Sequence, residues 1–341
     1  MRHAFLGRTG VQVSRLALGT MTFGDGADES AATAIWARAR AAGINLIDTA
    51  DVYGDGRSEE ILGRLLRGSR DEVVLASKAY YPSGSDVNAR GTSRYHLVRA
   101  VEASLARLCT DRLDVYYLHR FDEATDLAES LRAIDDLVRQ GKVLYPACSN
   151  FAAWQVAHAL GLQAALRLAP LCVVQPMYNL LKRQAESEIL PMAEALALAV
   201  VPYGPTAGGL LTGKYVGGAP PGGGRFGASD AYRRRYADPA HLRATAAFTS
   251  LAAELGHRPA TLAVAWVASH PAVTSVLLGA RTVDQLEESL AAADLEVDPA
   301  LRAQLSELTP APPPATDRID ERAAAAPARI PAPATWARID A

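Results

Sequence analysis

Three observations predict a (β/α)8 barrel. Eight short apolar or β-branched runs recur along the 341 residues, helix-period segments lie between them, and each run is continuously apolar rather than alternating. The runs are SRLALGT at 14–20, NLIDTA at 45–50, VVLASK at 73–78 and LDVYYLH at 113–119, then VLYPACSN at 143–150, CVVQPMYN at 172–179, AVVPYGP at 199–205 and VTSVLLG at 273–279. Their starts fall roughly 27 to 40 residues apart, close to one strand–helix unit each, until a final step of roughly 74. Continuous apolarity fits strands covered on both faces, as in parallel sheets. An open doubly wound sheet remains the rival; it normally places G-x-G-x-x-G after its first strand, where this chain reads GTMTFGDG.

Each element has its own signal. Residues 3–13 alternate around Gly7 and Gly10 and read as a short hairpin able to plug the bottom of the barrel. Alanine-rich segments of helical period follow at 30–42, 58–67, 93–108 and 127–140. The long last step holds GKYVGGAPPGGGRFGASDAYRRRYADP at 213–239, then two helices from about 239 to 270. Because that loop leaves the C-terminal end of the seventh strand, it is expected to hang over the barrel mouth as a cover. Residues 310–341, dominated by Pro and Ala, read as a tail outside a single 1–309 barrel domain, with Trp336 the side chain able to anchor it.

Composition excludes several classes. A hydrophobic fraction of 49%, a charged fraction of 21% and a net charge of -2 are ordinary for a globular chain and give no basic field for nucleic acid. No stretch reaches the ~18 apolar residues of a membrane helix, and the start MRHAFLGRTG lacks an apolar signal core, so a cytoplasmic monomer or homo-oligomer is expected. Cys109, Cys148 and Cys172 form no C-x-x-C pair and read as small core residues.

In a barrel, polar residues at the C-terminal ends of strands converge on one mouth. Here those ends supply Asp48, Lys78 and His119 from the second, third and fourth strands, with Tyr53 five residues after Asp48. A phenol is a poor acid near neutral pH, its ordinary pKa being about 10. A nearby Lys78 ammonium would favour the phenolate and make Tyr53 a better proton donor, while Asp48 keeps Lys78 charged. His119 could hydrogen-bond a substrate carbonyl and orient it. Such a set suits carbonyl reduction. No second histidine or carboxylate pair lies at neighbouring strand ends, so no catalytic metal is expected.

These residues, with LGTMTFG at 18–24, DTADVYGDGRSEEILG at 48–63, LHR at 118–120, CSNF at 148–151, QPMYN at 175–179, LLTGKY at 210–215 and GARTVDQLEESLAA at 279–292, resemble the aldo-keto reductase family. The likeness, from about residue 4 to 308, is to the branch of bacterial reductases and voltage-gated potassium-channel β subunits. It implies a TIM barrel, NADPH or NADP+ bound in extended form without a Rossmann domain, and the catalytic tetrad Asp48, Tyr53, Lys78 and His119. By the same resemblance Ser149, Asn150 and Gln175 would hydrogen-bond the nicotinamide carboxamide, and Tyr203 would stack on the ring. Thr20, Met21 and Asp48 also fall at cofactor positions. The segment Gly204, Pro205, Thr206, Ala207, Gly208 and on to Leu210, with Lys214, would wrap the pyrophosphate. Gly279, Ala280 and Arg281 enter a helix and would take the adenosine 2′-phosphate, with Gln285, Glu288 and Ser289 near the ribose and adenine. Relatives usually carry Y-S-P-L where this chain has Tyr203, Gly204, Pro205 and Thr206, asparagine at the place of Ser289, and often Ile-Gly around Pro146.

Two other readings stay open. A lysine ending a barrel strand also serves Schiff-base enzymes, so Lys78 could form an imine. The channel-subunit likeness admits an NADPH-binding sensor with little turnover. For the reductase, Met21, Phe23, Tyr80, Tyr81, Arg120, Phe121 and Tyr178 are the expected mouth residues. Arg120 and Arg225 would meet a phosphate if the substrate were a keto-sugar attached to a nucleotide.

Overall fold

All eight apolar runs are strands of one parallel sheet in the computed structural model, which describes residues 1–216 and 229–316. Arg225, Trp336 and most of the 310–341 segment lie outside the described residues. An antiparallel hairpin, β1 (His3–Phe5) and β2 (Gln12–Ser14), comes first. The sheet follows as β3 (Leu16–Gly19), β4 (Leu46–Asp48), β5 (Val74–Ala79), β6 (Leu113–Leu118), β7 (Val143–Ser149), β8 (Val173–Gln175), β9 (Ala199–Val200) and β10 (Val276–Gly279). Its order is β10-β3-β4-β5-β6-β7-β8-β9, all parallel. Thr274 and Leu277 N–H groups donate to the carbonyls of Val200 and Pro202 at 2.8 and 3.0 Å, which draws the last strand against β9 and closes the ring. The doubly wound rival is thereby excluded.

Side chains two apart on a strand share a face, and this rule fills the barrel. Ala17, Leu46, Ala76, Val115, Tyr117, Ala147, Val173, Ala199, Val201 and Leu277 form one buried cluster inside it, which Leu6 and Val13 of the hairpin cap from below. The intervening positions, among them Leu16, Leu18, Ile47, Leu75, Tyr116 and Leu118, face outward into a second cluster shared with the helices. Pro146 carries no N–H, yet costs β7 little. Its carbonyl accepts from Cys172 on the β8 side, and the missing donor would point to that same side, before β8 begins at Val173.

The helices are α1 (Glu29–Ala41), α2 (Arg57–Leu65), α3 (Arg94–Leu108), α4 (Leu127–Arg139), α5 (Ala153–Leu166) and α6 (Ile189–Ala195), one after each strand from β3 to β8. Side chains of Asp28, Ser93 and Asp126 accept from N–H groups of the first turns of α1, α3 and α4, which fixes where those helices start. The long loop after β9 contains a short helix that periodicity did not reveal, α7 (Asp230–Arg235), before the two anticipated ones, α8 (Pro239–Glu254) and α9 (Pro259–Ala268). α10 (Val283–Leu290) and α11 (Pro299–Ser306) complete the described chain. One expectation fails for the cysteines. Cys148 is buried and Cys172 half-buried, but Cys109 is exposed, because it ends α3 in a left-handed turn with φ +50°.

Candidate active site

The period of two that fills the barrel also builds its mouth. One step beyond the interior layer, the inward positions of successive strands are Gly19, Asp48, Lys78, His119, Ser149, Gln175, Tyr203 and Gly279. Seven of these eight line a cleft of about 450 Å3, and Lys78 lies fully buried at its floor. Gly19 and Gly279 put no side chain into the mouth, so the cleft runs out along that side.

The predicted tetrad is brought together. Lys78 Nζ donates to Asp48 Oδ1, to the Thr49 carbonyl at 2.7 Å and to the Tyr53 hydroxyl at 3.4 Å. Tyr53 opens a tight turn, Tyr53–Gly56, in which Gly54 and Asp55 take φ +58° and +55°. Its ring lies 5.0 Å from Lys78 Nζ and edge-on to His119, centroids 6.0 Å apart. With all three ammonium hydrogens engaged, Lys78 has no free lone pair, which argues against imine formation.

Charge in this floor is set by burial and by the pair. Burial is the largest influence on the Lys78 ammonium and works against it, but Asp48 and Tyr53 beside it together outweigh burial and hold the lysine above its ordinary pKa. Burial also dominates at Tyr53, so its phenol is pushed above its ordinary value although Lys78 pulls it down. Lys78 thus acts on Tyr53 in the anticipated direction, favouring the phenolate, but against a larger desolvation. His119 lies well below the ordinary histidine range, from burial first and Lys78 second, and is neutral at pH 7.

A chain of hydrogen bonds joins this floor to the wall of the cleft. Gln175 Nε2 donates to Asp48 Oδ2 at 2.8 Å, and Ser149 Oγ donates to the Gln175 carbonyl at 2.9 Å. Asn150, at φ +57°, donates from Nδ2 to Ser149 Oγ at 3.0 Å and to the His119 carbonyl at 2.9 Å. Its Oδ1 accepts from the Tyr203 hydroxyl at 2.7 Å. Ser149, Asn150 and Gln175 therefore line the cleft and also satisfy one another, fixing the Tyr203 ring and the tetrad in one frame.

Other expected cofactor positions divide into two sets. Thr20, Met21, Gly204, Pro205, Thr206, Gly208, Gly279 and Ser289 line the same cleft. Thr20 is a strut as well, its hydroxyl donating to the Asp48 carbonyl at 3.0 Å. Ala207, Leu210 and Ala280 are buried, so of these only backbone can reach a ligand. Lys214 rests its ammonium over Tyr215 at 5.1 Å and in the space that a side chain on Gly209 would fill, and it is not part of the described cleft lining. Glu288 pairs with Arg258 on a shallower neighbouring surface. Arg281 donates its N–H to Gln285 Oε1 at 3.0 Å, and its guanidinium rests where a side chain on Gly26 would be.

The substrate expectations need the most correction. Phe23 and Tyr178 are fully buried. Tyr178 packs on Trp266, and its hydroxyl donates to Glu186 at 2.6 Å and accepts from Arg302 at 2.8 Å, so it belongs to the barrel flank. Arg120 stands outside the cleft, 3.8 Å from Glu123 and over Tyr80. Tyr80 in turn lies behind Tyr81, and Tyr81 meets the His119 ring at 5.0 Å and lines the cleft. Phe121 packs on Phe151 and Trp154. The sequence reading missed Tyr232 and Arg235 of α7, which reach the cleft from the long loop. They stand three residues apart and so share one helical face, but a helix of six residues is too short to announce itself by period. Among the described residues no group of three or more His, Cys, Asp or Glu is placed to hold a metal ion, and no helix is long and apolar enough to cross a membrane.

An eight-stranded barrel thus gathers Asp48, Tyr53, Lys78 and His119 at its C-terminal mouth, and the family its sequence matches is one of oxidoreductases. A sequence model of the Aldo/keto reductase family matches residues 15–309, and the chain belongs to that family. It is 39% identical to the uncharacterized oxidoreductase YrpG of Bacillus subtilis over 92% of this chain and 97% of that protein. It is 38% identical to a probable voltage-gated potassium channel subunit beta of Oryza sativa subsp. japonica, over 86% and 92% of the two chains. With protein tas of Escherichia coli the identity is 32% over 89% and 96%. The family generally binds NAD(P)H.

Proposed function

We propose that the protein reduces an aldehyde or ketone to the alcohol with NADPH, Tyr53 giving the proton. The observation that carries this reading is the unbroken hydrogen-bonded path from Tyr203 through Asn150, Ser149, Gln175 and Asp48 to Lys78 and Tyr53 within one cleft. A flat ring held rigid at the wall, a glycine-lined exit towards Gly279, and the backbone of Gly204 to Gly208 fit an extended dinucleotide. When bound, the reduced nicotinamide supplies the hydride.

The remaining chemistry falls to side chains. Neutral His119 would donate an N–H to the carbonyl oxygen and orient the carbonyl carbon towards the Tyr203 side of the cleft. Tyr53 holds the proton on its hydroxyl and passes it to that oxygen as negative charge builds there. Lys78, donating to the same hydroxyl, stabilises the phenolate left behind, and Asp48 keeps Lys78 charged. Arg281, at the entry to α10, would favour the 2′-phosphate of NADPH over the ribose hydroxyl of NADH.

The test is consumption of NADPH, followed by absorbance over a panel of aldehydes, ketones and keto-sugars, with NADH in parallel. Turnover of at least one class with NADPH preferred is expected. Tight NADPH binding without turnover on any carbonyl would favour a second reading, a nucleotide-binding accessory protein, which the likeness to chains named as channel β subunits supports.

A further inference from the structure

The cleft is walled by Tyr53, Tyr81, Tyr203 and Tyr232, and among the described residues that line it Arg235 is the one cation, Lys78 being buried beneath. Tyr232 and Arg235 stand one helical turn apart on α7 and turn the same face to the cleft, while Arg233 and Arg234 are exposed and Arg233 pairs with Asp230. Arg235 is half-buried, with its guanidinium 5.1 Å from the centre of the Tyr232 ring. Among the described residues its side chain makes no ion pair and no hydrogen bond. Its field reaches the Tyr203 phenol, where it opposes the effect of burial. Among the described residues, the acids that line the same cleft are Asp48, already engaged by Lys78 and Gln175, and Asp25, next in the chain to Gly26, which packs against Arg281.

A guanidinium fixed on an aromatic face, partly desolvated and lacking a protein anion, is complementary to an anion brought by a ligand. We infer that Arg235 is a specificity-determining residue that receives a carboxylate or phosphate carried by the carbonyl substrate, with Tyr232 as the apolar wall beside it. The inference rests on the reductase reading and narrows its substrate class to anionic carbonyl compounds. Neither Arg120 nor any other cation in the described lining could take that role, since Arg120 stands outside the cleft.

Two pairs of probes differ only in the anion: 4-carboxybenzaldehyde against benzaldehyde, and glyceraldehyde 3-phosphate against glyceraldehyde. Steady-state reduction by the wild type, Arg235→Ala and Arg235→Lys is measured with NADPH, and calorimetry gives the affinity of the NADP+ complex for each probe independently of turnover. The wild type should prefer the charged member of at least one pair, and that pair tells carboxylate from phosphate. Arg235→Ala should raise KM and Kd for it by about tenfold or more, leaving the neutral member and NADPH affinity unchanged. Arg235→Lys should restore part of the loss. Equal losses for charged and neutral probes, no loss, or weakened NADPH binding would overturn the assignment. Retained binding preference with no turnover of any probe would instead overturn the reductase reading alone.

Discussion

Asp51 buries both carboxylate oxygens without a hydrogen-bond partner, three residues beyond Asp48. Burial first, then the neighbouring Glu59, pushes its pKa up to about 7, against the pull of Arg107, the Val52 N–H and Lys78. In the unfolded chain the same group ionises near 4. Between those values the folded state keeps a proton the unfolded state has lost, so its contribution to stability is full below about pH 4 and is lost as pH rises through 7, at about 1.4 kcal/mol per pH unit. Asp51→Asn should therefore melt higher than the wild type at pH 8, with the gap closing towards pH 4; a gap that does not change with pH would refute this. For the pair at the floor, Lys78→Met should abolish reduction, and Asp48→Asn should weaken it without adding to the first loss. Additive losses in the double variant would make Asp48 merely structural. Asp48, Lys78 and His119 were legible in the sequence because strand ends obey the period of two, whereas Tyr53 sits in a turn and was marked by its residue type and by the family resemblance. Phe23 and Tyr178 were misread because they follow strand ends in turns, where that period lapses and the chain folds its aromatics back into the core. Asp51 gave no signal at all, since its burial depends on what α2 and α3 place around it.

At the scale of elements, the strands and the early helices lie within a few residues of their sequence positions, since apolar runs and polar caps mark both ends. Less could be read in the segments that pack through loops. α7 is six residues long, too short for a periodic pattern, and its role follows from where the loop after β9 carries it. The turn from β10 into α10 was legible, and it carries a prediction about the nucleotide. If Arg281 meets a 2′-phosphate there, Arg281→Ala should weaken NADPH binding roughly ten- to hundredfold and leave NADH almost unaffected, as charge-assisted hydrogen bonds are worth about 1.5 to 3 kcal/mol. Fluorescence titration of both nucleotides decides it: equal loss for the two, or loss for neither, would remove phosphate recognition from Arg281.

For the molecule as a whole, a hairpin closes the bottom of the barrel, helices cover its outside, and the cleft with Asp48, Tyr53 and His119 in its lining lies at the open end. The residues after 309 add little to that frame among those described, the notable contact being Ser187 Oγ donating to the Pro313 carbonyl at 2.7 Å. Truncation after Thr309 should thus shift Tm and turnover only slightly, and a large fall in either would mean that the segment docks on the barrel. The central claim is that this mouth reduces a carbonyl with Tyr53 as the acid. Single-turnover reduction of a carbonyl substrate by the NADPH complex, followed by loss of nucleotide absorbance in the wild type and in Tyr53→Phe, tests it most directly. The account predicts a fall of at least ~10² in the rate for the variant with NADPH affinity unchanged. A variant that reduces the carbonyl at close to the wild-type rate would contradict it.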